Sequence, residues 1–151
     1  MLTRRHILLL ATATGVAVTV GNPATASQPS VFSNGGFAIN GYDPVAYFTE
    51  RKPVEGSDDH TLTWNDATWR FASAENLATF EADPETYAPQ YGGYCAYAVS
   101  HNHTAPTDPD AWTIYGDKLY LNYNKIVRTF WSGDIKGNIR QGDDNWPGVL
   151  D

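Results

Sequence analysis

Sulfur is scarce in this 151-residue sequence, which holds one cysteine, Cys95, and one methionine. A single cysteine excludes an internal disulfide, so in an oxidising compartment the thiol is expected to be buried, bound to something or paired with another chain. Free cysteine is among the most buried residue types. We therefore predict that Cys95 lies against the core, beside Tyr94 and Tyr97.

Positive charge is also scarce, because 10 Lys and Arg stand against 17 Asp and Glu, a formal net charge of −7. All the acidic residues follow Ala26, whereas Arg4 and Arg5 precede it. Residues 27–151 thus carry eight basic against 17 acidic side chains, a charge of −9. Such a surface repels phosphate backbones and anionic lipid, which argues against nucleic-acid binding and against docking on a membrane.

A long apolar run is missing everywhere except at the N-terminus. The run Ile7 to Val20 is shorter than the ~20 residues of a membrane span. Arg4 and Arg5 precede it and the small residues 24–26 follow it, which is the order of a signal peptide cut before Ser27. The stretch Thr-Arg-Arg-His-Ile-Leu at residues 3–8 further resembles the twin-arginine export signal, with an ordinary secretory signal as the alternative.

The predicted organisation is a signal peptide at 1–26, a flexible lead-in at 27–35 and a single domain at 36–151. The mature protein is expected in the periplasm or outside the cell, without membrane attachment once the signal is removed. Strand patterns followed by helix patterns predict an α+β fold.

Capping residues and alternating apolar residues predict the elements of this domain. Asp43 before Pro44 predicts a short helix over residues 45–50. Alternation about Asn65-Asp66-Ala67 predicts a hairpin, and Ser73 caps a following helix. A second hairpin is predicted about Gly116-Asp117, then a helix capped by Asn124, then a weaker helical stretch near Ile135 to Ile139. The apolar residues of the capped helix are Ile126, Val127, Phe130 and Trp131.

Three segments resemble a known family. They are Gly41-Tyr42-Asp43-Pro44-Val45-Ala46, Phe71-Ala72-Ser73-Ala74-Glu75-Asn76 and Asp83-Pro84-Glu85-Thr86-Tyr87. These segments resemble the YHS domain, whose cysteine-bearing members run Asp-Pro-Val-Cys, Phe-Cys-Ser-x-x-Cys and Asp-Pro-x-x-Tyr. The resemblance covers roughly residues 36 to 150, and the chain is most similar to the longer, exported subgroup of the family. It implies a small treble-clef-like unit of hairpin and helix, extended by a C-terminal hairpin and helix.

The family's cysteine positions hold Ala46, Ala72 and Asn76 in this chain. Thiolates there would select copper or zinc, whereas alanine donates nothing and an asparagine carbonyl is a poor ligand for a soft metal. We therefore expect that this site of the family binds no metal here.

A substitute metal site is offered by Cys95, His101 and His103. The two histidines flank Asn102, so in an extended segment both would point to the same face. A thiolate with two imidazoles suits copper or zinc, which are the cofactors we consider. The alternative is that both histidines are solvated loop residues.

The aromatic content, with five Trp and nine Tyr, is high for a small domain. Tyr and Trp favour half-wet positions such as pocket walls, although they also form cores. A ligand surface is therefore predicted around the glycine turn, made of Tyr42, Tyr91, Gly92, Gly93, Tyr94 and Tyr97.

Taken with the resemblance, these features predict an exported, non-catalytic YHS-type binding domain with an accessory role in metal handling. One alternative is a metal-free module that binds a small molecule or a periplasmic protein through the Tyr and Gly surface. Another is a thiol enzyme in which His101 activates Cys95. No phosphate loop, nucleophile elbow or His-Glu-x-x-His stretch occurs in the sequence, and we expect no catalysis.

Overall fold

A computed structural model describes Gly21 and residues 27–151. Apart from Gly21, the predicted signal peptide lies outside the described residues. The described chain has the predicted α+β fold, with six α-helices and three two-stranded antiparallel sheets. None of these helices is long and apolar enough to cross a membrane.

The sheets pair strands that are neighbours in sequence. The strands are β1 (Ser33–Asn34), β2 (Phe37–Ala38), β3 (Ser57–Trp64), β4 (Ala67–Phe71), β5 (Trp112–Tyr115) and β6 (Lys118–Leu121), paired as β1-β2, β3-β4 and β5-β6. The helices are α1 (Ala46–Thr49), α2 (Ala74–Ala82), α3 (Pro84–Tyr87), α4 (Ala96–Ser100), α5 (Lys125–Gly133) and α6 (Ile135–Asn145).

The hairpin β3-β4 and helix α2 form the first core. The turn residues Asn65 and Asp66 both have positive φ, 52° and 59°, as the favoured two-residue hairpin turn requires. Trp69 is buried and packs on Phe80 of α2, with ring centroids 5.1 Å apart. Ser73 caps α2 as predicted, because its side chain accepts the backbone N–H of residue 76.

Helices α4, α5 and α6 form the second core with β6. Asn124 caps α5 as predicted, and Trp131 is fully buried against Tyr120 at 5.1 Å between ring centroids. Helix α6 continues to Asn145, well beyond the predicted Ile135–Ile139. Gly142 lies inside that extension. A larger residue would not fit there, because a Cβ would stand 2.6 Å from the Tyr91 hydroxyl.

The segment predicted as a flexible lead-in packs against the domain instead. Val31 is buried, the backbone N–H of Gln28 donates to the carbonyl of Leu150, and that of Phe32 donates to the carbonyl of Gly92. The first of these hydrogen bonds joins this segment to the C-terminal end of the chain, and the second joins it to the Tyr91-Gly92 turn. Residues 27–35 are mostly polar, which favoured the prediction of a loop, but Val31 and Phe32 are apolar and anchor the segment.

Candidate functional site

The region of Cys95 begins with a helix that the sequence pattern did not predict. Helix α4 starts directly after Cys95, whose carbonyl accepts the N–H of Val99, and it ends at Ser100, directly before His101. Asn102 then turns the chain with φ 60°. The expectation that His101 and His103 alternate in an extended segment is therefore wrong. Burial of the alanines and valine of α4 favours a helical turn over a loop.

Cys95 is buried, as predicted, with 1% of its surface exposed. Its thiol donates to Oδ1 of Asn122 at 3.6 Å, and its sulfur accepts the backbone N–H of Tyr123 at 3.3 Å. Desolvation by burial raises the pKa of the thiol, while hydrogen bonds from backbone N–H groups, that of Tyr123 among them, act in the opposite direction. The net shift is upward, so Cys95 is held as a neutral thiol at neutral pH.

Asn122 organises the floor behind Cys95 and was not predicted from the sequence. Its side chain is fully buried, and Oδ1 also accepts the backbone N–H of Tyr97 at 3.1 Å. Its backbone N–H donates to the carbonyl of Ala111 at 2.9 Å. The available signal was an asparagine directly after an apolar strand, where a polar side chain needs a buried partner.

Backbone carbonyls orient the rings of both histidines. Nδ1 of His101 lies 2.8 Å from the carbonyl oxygen of Tyr97, and Nδ1 of His103 lies 3.2 Å from that of His101. Since a carbonyl oxygen only accepts, each Nδ1 carries the proton in this arrangement. In the neutral rings, Nε2 is then left as the acceptor. Both side chains are exposed.

Cys95, Tyr97, His101 and His103 all line one open cavity of about 280 Å³, which we call the Cys95 cavity. The rest of its wall is formed by four further residues, Ala98, Ala105, Tyr123 and Val127. The three predicted metal ligands thus share a cavity. They do not form a metal centre, because no group of three or more His, Cys, Asp or Glu within the described ranges is arranged to hold an ion.

An exposed apolar stripe on α5 borders this cavity. Ile126 and Phe130 are 67% and 60% exposed, and the Phe130 ring lies 6.3 Å from that of Tyr97. Val127 and Trp131 form the stripe of α5 that faces inward, Trp131 being fully buried. The sequence pattern had not separated these two stripes, because both repeat at i and i+4.

The predicted Tyr and Gly ligand surface does not form as one surface. Tyr91 and Tyr94 are buried, with their hydroxyls donating to Asp143 and to the carbonyl of Pro29. A Cβ on Gly93 would lie 2.5 Å from Ile39, so this glycine permits close packing. Of the six predicted residues, Tyr97 lines the Cys95 cavity, Tyr91 and Gly92 line a separate groove, and Tyr42 is half-buried at a bridge to Glu55.

Ala46, Ala72 and Asn76, at which the YHS resemblance leads us to expect cysteine, converge on the carboxylate of Asp43. Oδ1 accepts the backbone N–H groups of Val45 at 2.8 Å and Ala46 at 3.3 Å. Oδ2 accepts the backbone N–H of Ala72 at 2.9 Å and the side-chain amide of Asn76 at 2.7 Å. Asp43 is fully buried. Four donors therefore surround one buried charge, which is the condition under which such a charge is tolerated.

Comparison of the chain with protein-family models, curated proteins and solved structures found no match.

Proposed function

We propose that the mature chain is an exported, non-catalytic binding domain of the YHS type that takes a small, largely apolar ligand in the Cys95 cavity. The observation that carries the proposal is the wall of this cavity, in which alanine, valine and tyrosine side chains surround two imidazoles and a neutral thiol. Open, mostly apolar cavities with a few polar groups are the usual form of small-molecule sites.

Assignment to the YHS type rests on the quoted motifs and on their convergence. The hairpin β3-β4 is followed by the capped helix α2, and residues 46, 72 and 76 meet at Asp43 between them. This placement supports the treble-clef unit that the resemblance implies, with a carboxylate at the point where relatives are expected to hold a metal.

The state of Cys95 favours binding over catalysis. A nucleophile or a soft-metal ligand has to be a thiolate, whereas burial raises the pKa of Cys95. Both the hydrogen and the sulfur of this thiol are already engaged, with Asn122 and Tyr123. A small-ligand role is therefore favoured over a thiol enzyme and over a copper or zinc site based on Cys95.

An accessory metal role is the second candidate, because one specific observation favours it. Metal-bound histidines usually donate their second ring N–H to a carbonyl or carboxylate, and His101 and His103 both donate Nδ1–H to backbone carbonyls. Two imidazoles alone would give weak binding of copper or zinc. Titration of the protein with Zn²⁺, with the thiol kept reduced, tests this candidate against the double variant His101→Ala/His103→Ala.

A contact with a periplasmic protein is the remaining alternative. Such a partner would bind to the exposed stripe of Ile126 and Phe130, next to the cavity. Changing both residues to Ser leaves the inward stripe of α5 intact. That variant should keep small-ligand binding, whereas a site that depended on the exposed stripe would lose it.

The principal test is thermal stabilisation by indole, a small apolar probe. A ligand that binds only the folded state raises the midpoint of unfolding, and the rise grows with the logarithm of the ligand concentration divided by Kd. Val127→Phe fills the cavity and should abolish this rise. Ile126→Phe adds a ring one position away on the exposed stripe and should leave it intact. Equal stabilisation of both variants would contradict the proposed site.

Export is tested separately, through Arg4 and Arg5. Changing both to Lys keeps the charge but removes the twin-arginine motif, and it should block accumulation outside the cytoplasm. Normal export of the double variant would refute the twin-arginine route and leave a general secretory signal in place.

A further inference from the structure

A second open space, a groove of about 480 Å³, lies beside the Tyr91-Gly92 turn. It shares no wall residue with the Cys95 cavity. Gly92 is needed in its wall, because a Cβ there would lie 1.9 Å from the carbonyl oxygen of Ser30 and 3.3 Å from the Trp146 ring. The function proposed above makes no use of this groove.

Aromatic side chains supply the apolar part of the groove. Trp64, Tyr91 and Trp146 line it, and the last two rings pack on each other with centroids 6.1 Å apart. Trp64 packs against Trp69 of the same hairpin and against Phe80 of α2. Trp64 and Trp146 are half-buried, so part of each indole remains accessible from the groove.

Polar side chains of both kinds share the same walls. Glu85 and Asp143 offer carboxylate oxygens, Lys118 offers an ammonium, and Asn65 and Gln90 offer amides that both donate and accept. Tyr91 orients Asp143, because its hydroxyl donates to Oδ1 at 2.9 Å. This bond does not involve Oδ2, the second carboxylate oxygen. The groove therefore combines several donors and several acceptors with flat apolar faces.

We infer that this groove binds a saccharide. Each hydroxyl of a sugar both donates and accepts, which requires acceptors and donors together, and the C–H faces of the ring require a flat apolar partner. A phosphorylated or strongly anionic ligand is disfavoured, because two carboxylates outnumber the single lysine. A purely apolar ligand would desolvate these polar groups without replacing their hydrogen bonds.

The test uses ¹⁵N-labelled protein titrated with cellobiose, maltose or N,N′-diacetylchitobiose, each up to ~10 mM, a range suited to weak sugar binding. At least one of these sugars should shift the indole N–H of Trp146 and the amide of Gly92. Those two signals report the groove without involving the Cys95 cavity.

The double variant Glu85→Gln/Lys118→Ala should weaken this binding about tenfold. Its matched control is Glu81→Gln/Lys125→Ala, which changes an exposed carboxylate and an exposed lysine outside the groove and should keep the affinity of the unchanged protein. The inference is overturned if none of the three sugars shifts these signals. It is also overturned if both double variants bind equally well.

Discussion

The side-chain amide of Asn76 donates to the buried carboxylate of Asp43 at 2.7 Å, across 33 positions of sequence. The same carboxylate accepts the backbone N–H groups of Ala46 and Ala72. The three positions at which the resemblance to the YHS domain leads us to expect cysteine are thus joined here by hydrogen bonds to one buried carboxyl group. The start of α1, the end of β4 and the start of α2 are connected through these bonds.

The bond between Asn76 and Asp43 should be measurable in the free energy of unfolding. Asn76→Ala removes a donor to a buried carboxylate and is expected to cost about 2 kcal/mol in urea unfolding. Asn34→Ala is the matched control, because its amide bonds to Asn40 at the exposed surface and its loss should cost less than about 0.5 kcal/mol. Equal costs for the two variants would contradict the importance assigned to Asp43.

Restoring the three cysteines tests the YHS assignment. Ala46→Cys, Ala72→Cys and Asn76→Cys together should create affinity for Zn²⁺ or Cu⁺, because three thiolates would then surround one point. Isothermal titration should give one ion per chain for the triple variant. Any single one of these variants is the control and should bind weakly. A triple variant that folds but binds no more tightly than the single ones would contradict the alignment with the family.

The parts of the fold that follow from local chemistry could be predicted from sequence. Ser73 and Asn124 were correctly read as helix caps, and the turn at Asn65-Asp66 as a hairpin, because each depends on residues a few positions apart. Burial depends on distant partners and was harder. The hydroxyls of Tyr91 and Tyr94 bond to residues far along the chain, so these two tyrosines, predicted as part of a ligand surface, are buried.

The same reasoning explains the outcome for the candidate site. Sequence proximity was enough to bring Cys95, His101 and His103 to one cavity. It was not enough to give their geometry, because Asn102, with φ 60°, breaks the extended segment that was expected at residues 101–103. Asn122 directly follows β6 and Val127 lies on α5, and no local pattern relates them to Cys95.

Burial of Cys95 should make its thiol slow to react. A bulky disulfide reagent should label it only as fast as the protein opens, since 1% of the residue is exposed. The variant Cys95→Ala/Ser132→Cys moves the single thiol to an exposed position on α5 and should label rapidly. Equally rapid labelling of the unchanged protein would show that the placement of Cys95 is wrong.

Stability should fall at alkaline pH. Burial raises the pKa of Cys95 above its ordinary 9.0, and burial followed by the hydrogen bond to Asp143 raises the pKa of Tyr91 above its ordinary 10.0. On raising the pH, the unfolded chain therefore loses these protons first, and the folded state binds more protons than the unfolded one. The free energy of unfolding should then decrease between about pH 9 and pH 11.

Cys95 and Tyr91 are two of the groups that contribute to this decline, since burial also raises the pKa of Tyr47, Tyr94 and Tyr120. Cys95→Ala should delay the onset of the decline, and Tyr91→Phe should flatten its later part, as followed by urea unfolding at each pH. A free energy of unfolding that rises between about pH 9 and pH 11, or that declines identically in both variants, would contradict the assignment.

The claim that the Cys95 cavity is the ligand site is tested most directly by mapping where indole binds. In ¹⁵N spectra of the reduced protein, indole should shift the amide signals of Ala98, Ala105 and Val127, which line that cavity. The shifts should vanish in Val127→Phe and persist in Ile126→Phe. Shifts confined to other parts of the domain, or unchanged by Val127→Phe, would contradict the account.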